Sequence, residues 1–388
     1  MNKSIYFNNI QLKLELDKCL SCATKPCQKA CPVKCDAHQF IKLAKENKLK
    51  EAVDIIYQKN PFGHICGLVC PEKFCMKACL RAKIDQAVNI KKIQATLAQK
   101  SPLKEHHFSP IYRSEKIAIV GAGPAGITAA FTLAKNGFQV TLFEKEDEIS
   151  GALSLIPNNR LPKEVIKEEL NLITKKEPFK ILTNTLIKNP KNLLKEGFDY
   201  VFIATGETKL KKLHIKGENH ALSYPLFLKN ISNYKAFKKI AIIGGGNVAF
   251  DCAISAKKAG IQEVHLFVRR RHIDMRITLQ EHQELIQNQI TLHPLTSPIQ
   301  IKKQKDKFNL LVQNNTIIDE KPVAIEKAIY TQQGFDAIIS AIGSTAEATL
   351  KSDRIFYIGD IKLGSSSVVE AIAHAQQTTL NFMQSLLK

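Results

Sequence analysis

The stretch Ile117-Ala-Ile-Val-Gly-Ala-Gly-Pro-Ala-Gly126 decides the fold of this chain. A short apolar run feeds Gly121-x-Gly123-x-x-Gly126, with Pro124 and Ala125 inside the motif, and a helical run from Ile127 to about Asn136 follows. Glycine at these places lets the backbone approach a pyrophosphate at a helix N-terminus. Gly137 closes the helix and Gln139-Val-Thr-Leu-Phe143 reads as the next strand, which makes a βαβ unit of dinucleotide-binding length. Glu144 ends that strand about twenty residues beyond the loop, where a carboxylate meets ribose hydroxyls.

The pattern returns at Ile240-Ala-Ile-Ile243, with Gly244-x-Gly246-x-x-Ala249 spanning Asn247 and Val248, a helix to Lys258, Gly260, and the strand Glu263-Val-His-Leu-Phe-Val268. This second strand ends in Arg269 and Arg270, not in an acid, and Arg276 lies a short loop away. Only eight arginines occur in the chain, and Arg269, Arg270, Arg271 and Arg276 are half of them. Guanidinium groups bind a ribose 2′-phosphate that a carboxylate would repel, so this loop predicts NADPH over NADH. The final segment, Ile355-Phe-Tyr-Ile-Gly-Asp360 and an amphipathic helix from about Val368, has no partner of its own. It is expected to return to the first unit, with the second inserted within it.

Upstream, nine of the ten cysteines fall in the first 79 residues. They form two runs, Cys19-x2-Cys22-x4-Cys27-x3-Cys31-x3-Cys35 and Cys66-x3-Cys70-x4-Cys75-x3-Cys79. Loops of two to four residues between thiolates reach adjacent corners of a [4Fe-4S] cube, and the last cysteine of a run often crosses to the other cluster. Zinc knuckles favour C-x2-C, which only Cys19 and Cys22 supply. Two clusters held by thiolates alone need eight ligands, so at least one of the nine is spare. Helical periodicity in Phe40-Ile-Lys-Leu-Ala-Lys and Lys50-Glu-Ala-Val-Asp-Ile-Ile-Tyr makes this region α-helical. A polar linker is expected over 101–110. The resulting fold class is α/β with an N-terminal all-α iron–sulfur domain and two Rossmann-like domains. The expected boundaries are 1–112 for the helical domain, 113–236 and 336–388 for the FAD-binding domain, and 237–335 for the NADPH-binding domain.

Composition bounds the rest. At 388 residues, 44% hydrophobic and 24% charged, the chain suits two or three globular domains. The formal charge of +20 comes mostly from lysines spread along the whole chain, without an aromatic-interleaved basic stripe, which argues against nucleic acid. No apolar run approaches the roughly 18 residues of a membrane span, and the N-terminus lacks an apolar leader core, so a cytoplasmic protein is expected. Neither nucleotide unit contains a C-x-x-C pair, which disfavours a disulfide reductase, and Cys252 reads as a core residue. A substrate barrel of about 250 residues has no room.

Over nearly its whole length the chain resembles the NAD(P)H-accepting subunit of bacterial dihydropyrimidine dehydrogenase. It is also similar to the N-terminal half of the long eukaryotic enzyme and to the small subunit of glutamate synthase. The stretches that carry the likeness are Cys19-Leu-Ser-Cys-Ala-Thr-Lys-Pro-Cys-Gln-Lys-Ala-Cys-Pro32, Asn60-Pro-Phe-Gly-His-Ile-Cys-Gly-Leu-Val-Cys-Pro71, Val88-Asn-Ile, Arg160-Leu-Pro162, Ala204-Thr-Gly206 and Ile358-Gly-Asp360. The resemblance implies one cluster on Cys19, Cys22, Cys27 and Cys79, and a second on Cys31, Cys70, Cys75 and Gln94. Cys35 and Cys66 match no ligand position. It further implies FAD on the first glycine loop, near Arg160, Thr205, Gly206, Gly359 and Asp360. The implied role is electron input from NADPH through FAD and two [4Fe-4S] clusters to an FMN-containing partner that reduces uracil or thymine. The large subunit of glutamate synthase is the alternative partner, and a redox-sensing binding protein without turnover is the alternative of another class. Cys70-x4-Cys75 is one residue shorter than the dihydropyrimidine pattern and one longer than that of glutamate synthase. The arginine set is like that of the eukaryotic enzyme.

Overall fold

The structure, a computed structural model, describes residues 5–103, 112–175, 178–346 and 348–387. Most of the expected linker, 104–110, lies outside the described residues. The chain divides into two compact units, Met1–Thr208 with Ala346–Lys388, and Lys209–Thr345. The second unit begins before the expected residue 237 and ends after the expected 335. The reason is strand pairing: Leu222–Ser223 and Ala337–Ser340 both join its sheet, the latter against Lys239–Ile243.

In the first unit, the N-terminal helices Asn9–Asp17, Ala37–Lys45, Leu49–Gln58, Gly63–Val69 and Ile90–Lys100 enclose an apolar core. Phe40, Ile41 and Ala44 on one helix, and Ala52, Val53 and Ile56 on the next, are the buried faces of three- and four-residue repeats. Asn8, Asp36 and Asn89 cap their helices by accepting backbone hydrogen bonds from Gln11, Gln39 and Lys92. Gly63–Val69 and Ile90–Lys100 pack so closely that a Cβ on Gly67 would lie 2.5 Å from the Ala95 nitrogen.

The sheet of the first unit is wholly parallel, in the order Ile355–Tyr357, Tyr200–Ile203, Lys116–Val120, Gln139–Phe143, Lys180–Leu182. Its central strands are buried on both faces, hence the continuous apolar runs. Strand order reverses beside Lys116–Val120, which opens a crevice at its C-terminal end. The following helix, Pro124–Lys135, starts earlier than Ile127 because Pro124 suits a first helical turn. The return helix Val368–Ser385 packs along it, with Phe382 seated among Phe138, Tyr200, Phe202 and Phe356 at centroid distances of 4.8–5.7 Å.

Glu169, on helix Lys163–Thr174, joins the helical region to this sheet domain. Its buried carboxylate accepts from the Tyr57 hydroxyl at 2.7 Å and from the amides of His64 and Ile65 at 2.6 and 2.8 Å. Burial pushes its carboxyl up to about 7, against the pull of those three bonds.

The second unit repeats the design, with parallel order Leu222–Ser223, Ala337–Ser340, Lys239–Ile243, Glu263–Val268, Thr291–Pro294. A three-stranded antiparallel sheet, Thr296–Gln304, Lys307–Ile318 and Lys321–Phe335, has no counterpart in the sequence reading. Its inner residues Ile301, Leu310, Val312 and Phe335 cluster with Ala241, Ile243, Phe267 and Ile338 of the parallel sheet. Among the described residues, no helix is long and apolar enough to cross a membrane.

Candidate functional site

The first glycine loop is built by close backbone approach. Gly121 has φ +104°, and a Cβ there would lie 2.6 Å from the Ala204 carbonyl oxygen. Gly126 admits no side chain, since its Cβ would stand 1.9 Å from the Gly121 carbonyl oxygen. Beneath Gly123 lies Gly151, whose own Cβ would come within 2.7 Å of the Gly123 Cα; sequence reasoning passed over this residue. Pro124 and Ala125 begin a helix whose N-terminal turn carries no side-chain cap, so its amides remain for a pyrophosphate. Glu144 is buried, with one carboxylate oxygen accepting from the Ala122 amide at 2.7 Å and the other from the Glu146 amide at 3.0 Å. It therefore stiffens the loop from the end of the strand.

Two further segments reach this loop. Thr205 is exposed after strand Tyr200–Ile203, and Gly206, at φ +68°, has open space on its Cβ side. A Cβ on Gly359 would lie 2.6 Å from the Ala125 Cβ, and its amide donates to His374 Nδ1 at 3.1 Å. Asp360 accepts from the Ser366 hydroxyl, and burial, with Glu207 and Glu370 adding to it, pushes its carboxyl up to about 6. Arg160 is half-buried, its amide donating to the Pro157 carbonyl at 2.8 Å. Open backbone, uncapped amides and a carboxylate at the strand end fit the diphosphate and ribose of FAD.

Holding Asp360 ionised costs stability. Its carboxyl ionises less readily folded than unfolded, so the cost is absent below about pH 4 and complete above about pH 6. That cost is on the order of 2–3 kcal/mol. Asp360→Asn is expected to raise the melting temperature of the flavin-free chain by several degrees at pH 8 and by little at pH 4. It should weaken FAD binding at both. Calorimetry of the flavin-free protein checks the first half and flavin titration the second.

In the second unit, Gly244 has φ +150° with the Ala341 carbonyl oxygen 2.3 Å from any Cβ, whereas Gly246 has nothing within 4 Å of that position. Asn247 and Val248 open the helix Asn247–Lys258, again without a side-chain cap, and Ala249 is fully buried at its base. Arg276 is brought to this loop, its amide donating to the Gly245 carbonyl at 2.9 Å. Arg269 and Arg276 are exposed and Arg270 is half-buried; among the described residues none of the three has an ion pair. Arg271 differs, since its guanidinium makes a two-pronged pair with Asp274 at 2.7 and 3.0 Å. The antiparallel sheet supports the arginine loop. Buried Asn315 donates to the Arg269 carbonyl at 3.0 Å, and the Leu295 amide donates to that of Arg270. Free guanidinium groups beside uncapped amides fit a phosphorylated nicotinamide dinucleotide.

Among the cysteines, Cys19, Cys22, Cys27 and Cys79 line one pocket with Lys25, Pro26 and His38, about 400 Å³ of empty space counting its open mouth. Cys79 arrives there from the second run. Cys31, Cys70 and Cys75 are neighbours of one another, Cys31 and Cys75 acting electrostatically on Cys70 and Cys31 on Cys75, but Cys66 acts on Cys70 ahead of both and Cys35 feels Cys31 and Cys75, so this second group holds five thiols. Cys27 also acts on Cys75, so it borders both groups. Gln94 Nε2 donates to the Gly63 carbonyl at 2.6 Å, which leaves its amide oxygen as the end for a ligand. Burial pushes the thiols of Cys27 and Cys75 up to about 11 and about 12, and that of Cys70 further up. Thiolates persist in such surroundings only beside compensating positive charge. Among the described residues no three Cys, His, Asp or Glu side chains meet at single-ion geometry. Four thiols around a shared space fit the corners of an iron–sulfur cube. Cys35 and Cys66 are buried, the latter bonded to Asn60, and Cys252 lies in the core of the second unit.

Comparisons with known proteins agree with this architecture. The family described as dihydropyrimidine dehydrogenase domain II, 4Fe-4S cluster, matches residues 2–105. YgfK of Escherichia coli K12, a putative oxidoreductase, is 28% identical over 92% of this chain, which spans only 38% of YgfK. The NAD-dependent dihydropyrimidine dehydrogenase subunit PreT of the same organism is 28% identical over 94% of this chain and 92% of its own. Among solved structures, FprA of Mycobacterium tuberculosis in complex with NADPH aligns with TM-score 0.61 at 19% identity, over 71% of this chain and 85% of FprA, which speaks to the fold. The family described as pyridine nucleotide-disulphide oxidoreductase matches residues 115–378. With its glycine loops, parallel sheets and N-terminal 4Fe-4S domain, the chain belongs to the pyridine nucleotide-disulphide oxidoreductase family.

Proposed function

We propose that the chain is an electron-input subunit that takes electrons from NADPH and delivers them singly to a partner. The observation that carries this reading is the thiol-lined pocket in the same compact unit as the first glycine loop. When bound, FAD and two [4Fe-4S] clusters supply the conversion of a two-electron donor to one-electron output. Each NADPH oxidised to NADP⁺ and H⁺ yields two electrons.

The chain's own residues bind and orient. The amides after Gly123 and Gly246 hold pyrophosphates, and Glu144 and Asp360 hold hydroxyls of the flavin nucleotide. Cys19, Cys22, Cys27 and Cys79 hold one cluster, and Cys31, Cys70, Cys75 and Gln94 the other. No side chain is assigned as acid, base or nucleophile, because hydride transfer requires none. The NADPH-binding domain, within Lys209–Thr345, is inserted in the FAD-binding domain. The partner is an FMN-containing subunit reducing uracil or thymine, in keeping with the likeness to PreT. Anaerobic co-purification of a companion chain with FMN and uracil-dependent NADPH oxidation tests this; a very large companion with glutaminase activity would replace it with glutamate synthase.

PreT is named NAD-dependent, whereas the free guanidinium groups here favour NADPH. Arg269→Ala, Arg270→Ala and Arg276→Ala are each expected to raise the NADPH KM about tenfold, roughly 1.4 kcal/mol, with little change for NADH. Arg271→Ala, whose guanidinium is held by Asp274, should leave both unchanged. An equal response of NADPH and NADH would remove the phosphate-binding role.

A further inference from the structure

The first unit contains a second cleft, about 890 Å³ of empty space counting its wide mouth, for which the reading above has no use. It is lined from three directions. One wall is Pro32–Lys34, the residues directly after Cys31; another is Tyr57–Pro61; the third is formed by helices Pro124–Lys135 and Val368–Ser385. Lys34, Lys59 and Lys135 stand in it, all exposed, and no Asp or Glu lines it. None of the three has an ion pair among the described residues, although Lys34 Nζ donates to the Lys29 carbonyl at 2.6 Å. That bond fixes the ammonium without neutralising it. Elsewhere in the helical domain five lysines are matched, Lys18 with Glu15, Lys25 with Asp36, Lys48 with Glu46, Lys73 with Glu370 and Lys91 with Glu72, while others such as Lys13, Lys42, Lys50 and Lys77 have no ion pair among the described residues. What sets the cleft apart is that three lysines line one concavity to which no carboxylate contributes. Its surface also carries the half-exposed Leu380 and the side chains of Gln376 and Gln377, whose amide nitrogens donate to the Lys59 carbonyl at 2.6 Å and to Asn381 at 2.8 Å and leave their oxygens toward the cleft's polar and apolar mixture.

We propose that this cleft seats an acidic segment of the electron-accepting partner. The inference rests on the electron-output reading. Its position supplies the reason: the wall Pro32–Lys34 joins Cys31 to Cys35, and Asn60 on the opposite wall is bonded to the Cys66 thiol. A segment held here lies against the backbone that carries a ligand of the second cluster, which shortens the path for an outgoing electron. Opposite charge also speeds encounter, an effect that falls with ionic strength.

The probe is a fluorescein-labelled octaglutamate peptide, followed by anisotropy on the cofactor-loaded full chain. The wild type should bind it, more weakly as salt rises. The triple variant Lys34→Glu, Lys59→Glu, Lys135→Glu should raise the Kd more than about tenfold. A control that reverses three exposed lysines of the second unit, Lys302→Glu, Lys303→Glu and Lys321→Glu, should raise it by less than about threefold. No binding by the wild type, or equal weakening in both variants, overturns the docking site. Bleaching of flavin and cluster absorbance by NADPH in the same samples tests electron input separately. Its failure would strike the functional reading, and its success with a silent triple variant would strike only the docking proposal.

Discussion

Gly126→Ala is expected to yield a chain that folds but binds almost no FAD. The backbone at this position is helical, so alanine meets no conformational objection; the obstacle is the Gly121 carbonyl oxygen, 1.9 Å from the new methyl carbon. A carbon–oxygen contact normally needs more than 3 Å, and the Ala204 Cβ, at 3.2 Å, blocks escape on the other side. The loop must therefore move by about an ångström, which takes the amides of the helix start away from the pyrophosphate. Affinity for FAD should fall at least about a hundredfold, close to 3 kcal/mol, and NADPH oxidation should fall with flavin content. Gly246→Ala is the informative contrast. Its Cβ meets nothing within 4 Å, so the chain should keep its flavin and its melting temperature and show only a raised NADPH KM. One glycine is needed by the protein's own backbone and the other by the ligand's approach. Equal flavin content in the two variants would overturn this division.

Both loops were legible because they are local: strand, glycine motif and helix lie within about thirty residues of each other. The cysteine runs were legible for the same reason. What could not be read are contacts between segments distant in sequence. Gly151 has no motif to announce that it lies under Gly123. Glu169 is one of three acids in Lys167-Glu-Glu-Leu170 and Glu164, and only tertiary packing selects it to bind the amides of His64 and Ile65. The second compact unit runs past the expected 335 because Ala337-Ile-Ile-Ser340, a short apolar run that suits either sheet, pairs with Lys239–Ile243. The antiparallel sheet escaped notice because Lys321–Phe335 is exposed along most of its length and shows no clean alternation. Gln94 was named by resemblance alone, and its bond to Gly63 is visible only where two helices meet across Gly67 and Ala95.

Loss of one cluster should separate the two halves of the electron path, and Cys27 is the residue at which to cut. It lines the pocket with Cys19, Cys22 and Cys79 and also borders Cys75 of the second group. Cys27→Ala should lower iron from about eight to about four per chain, because a cube with one corner unheld is readily lost. Reduction of the flavin by NADPH should continue, since the first glycine loop and the second unit are untouched, while delivery to the partner should fall below about a tenth. Cys35→Ala and Cys66→Ala serve as controls. Both thiols are buried as deeply as any ligand, so a purely structural explanation predicts the same damage from all three substitutions. The ligand assignment predicts full iron in the two controls and half in Cys27→Ala, read by iron analysis and by low-temperature paramagnetic resonance of the reduced protein. Full iron in Cys27→Ala with loss in Cys66→Ala would reassign the ligands. Retained iron with normal delivery would end the proposal that electrons leave through this site.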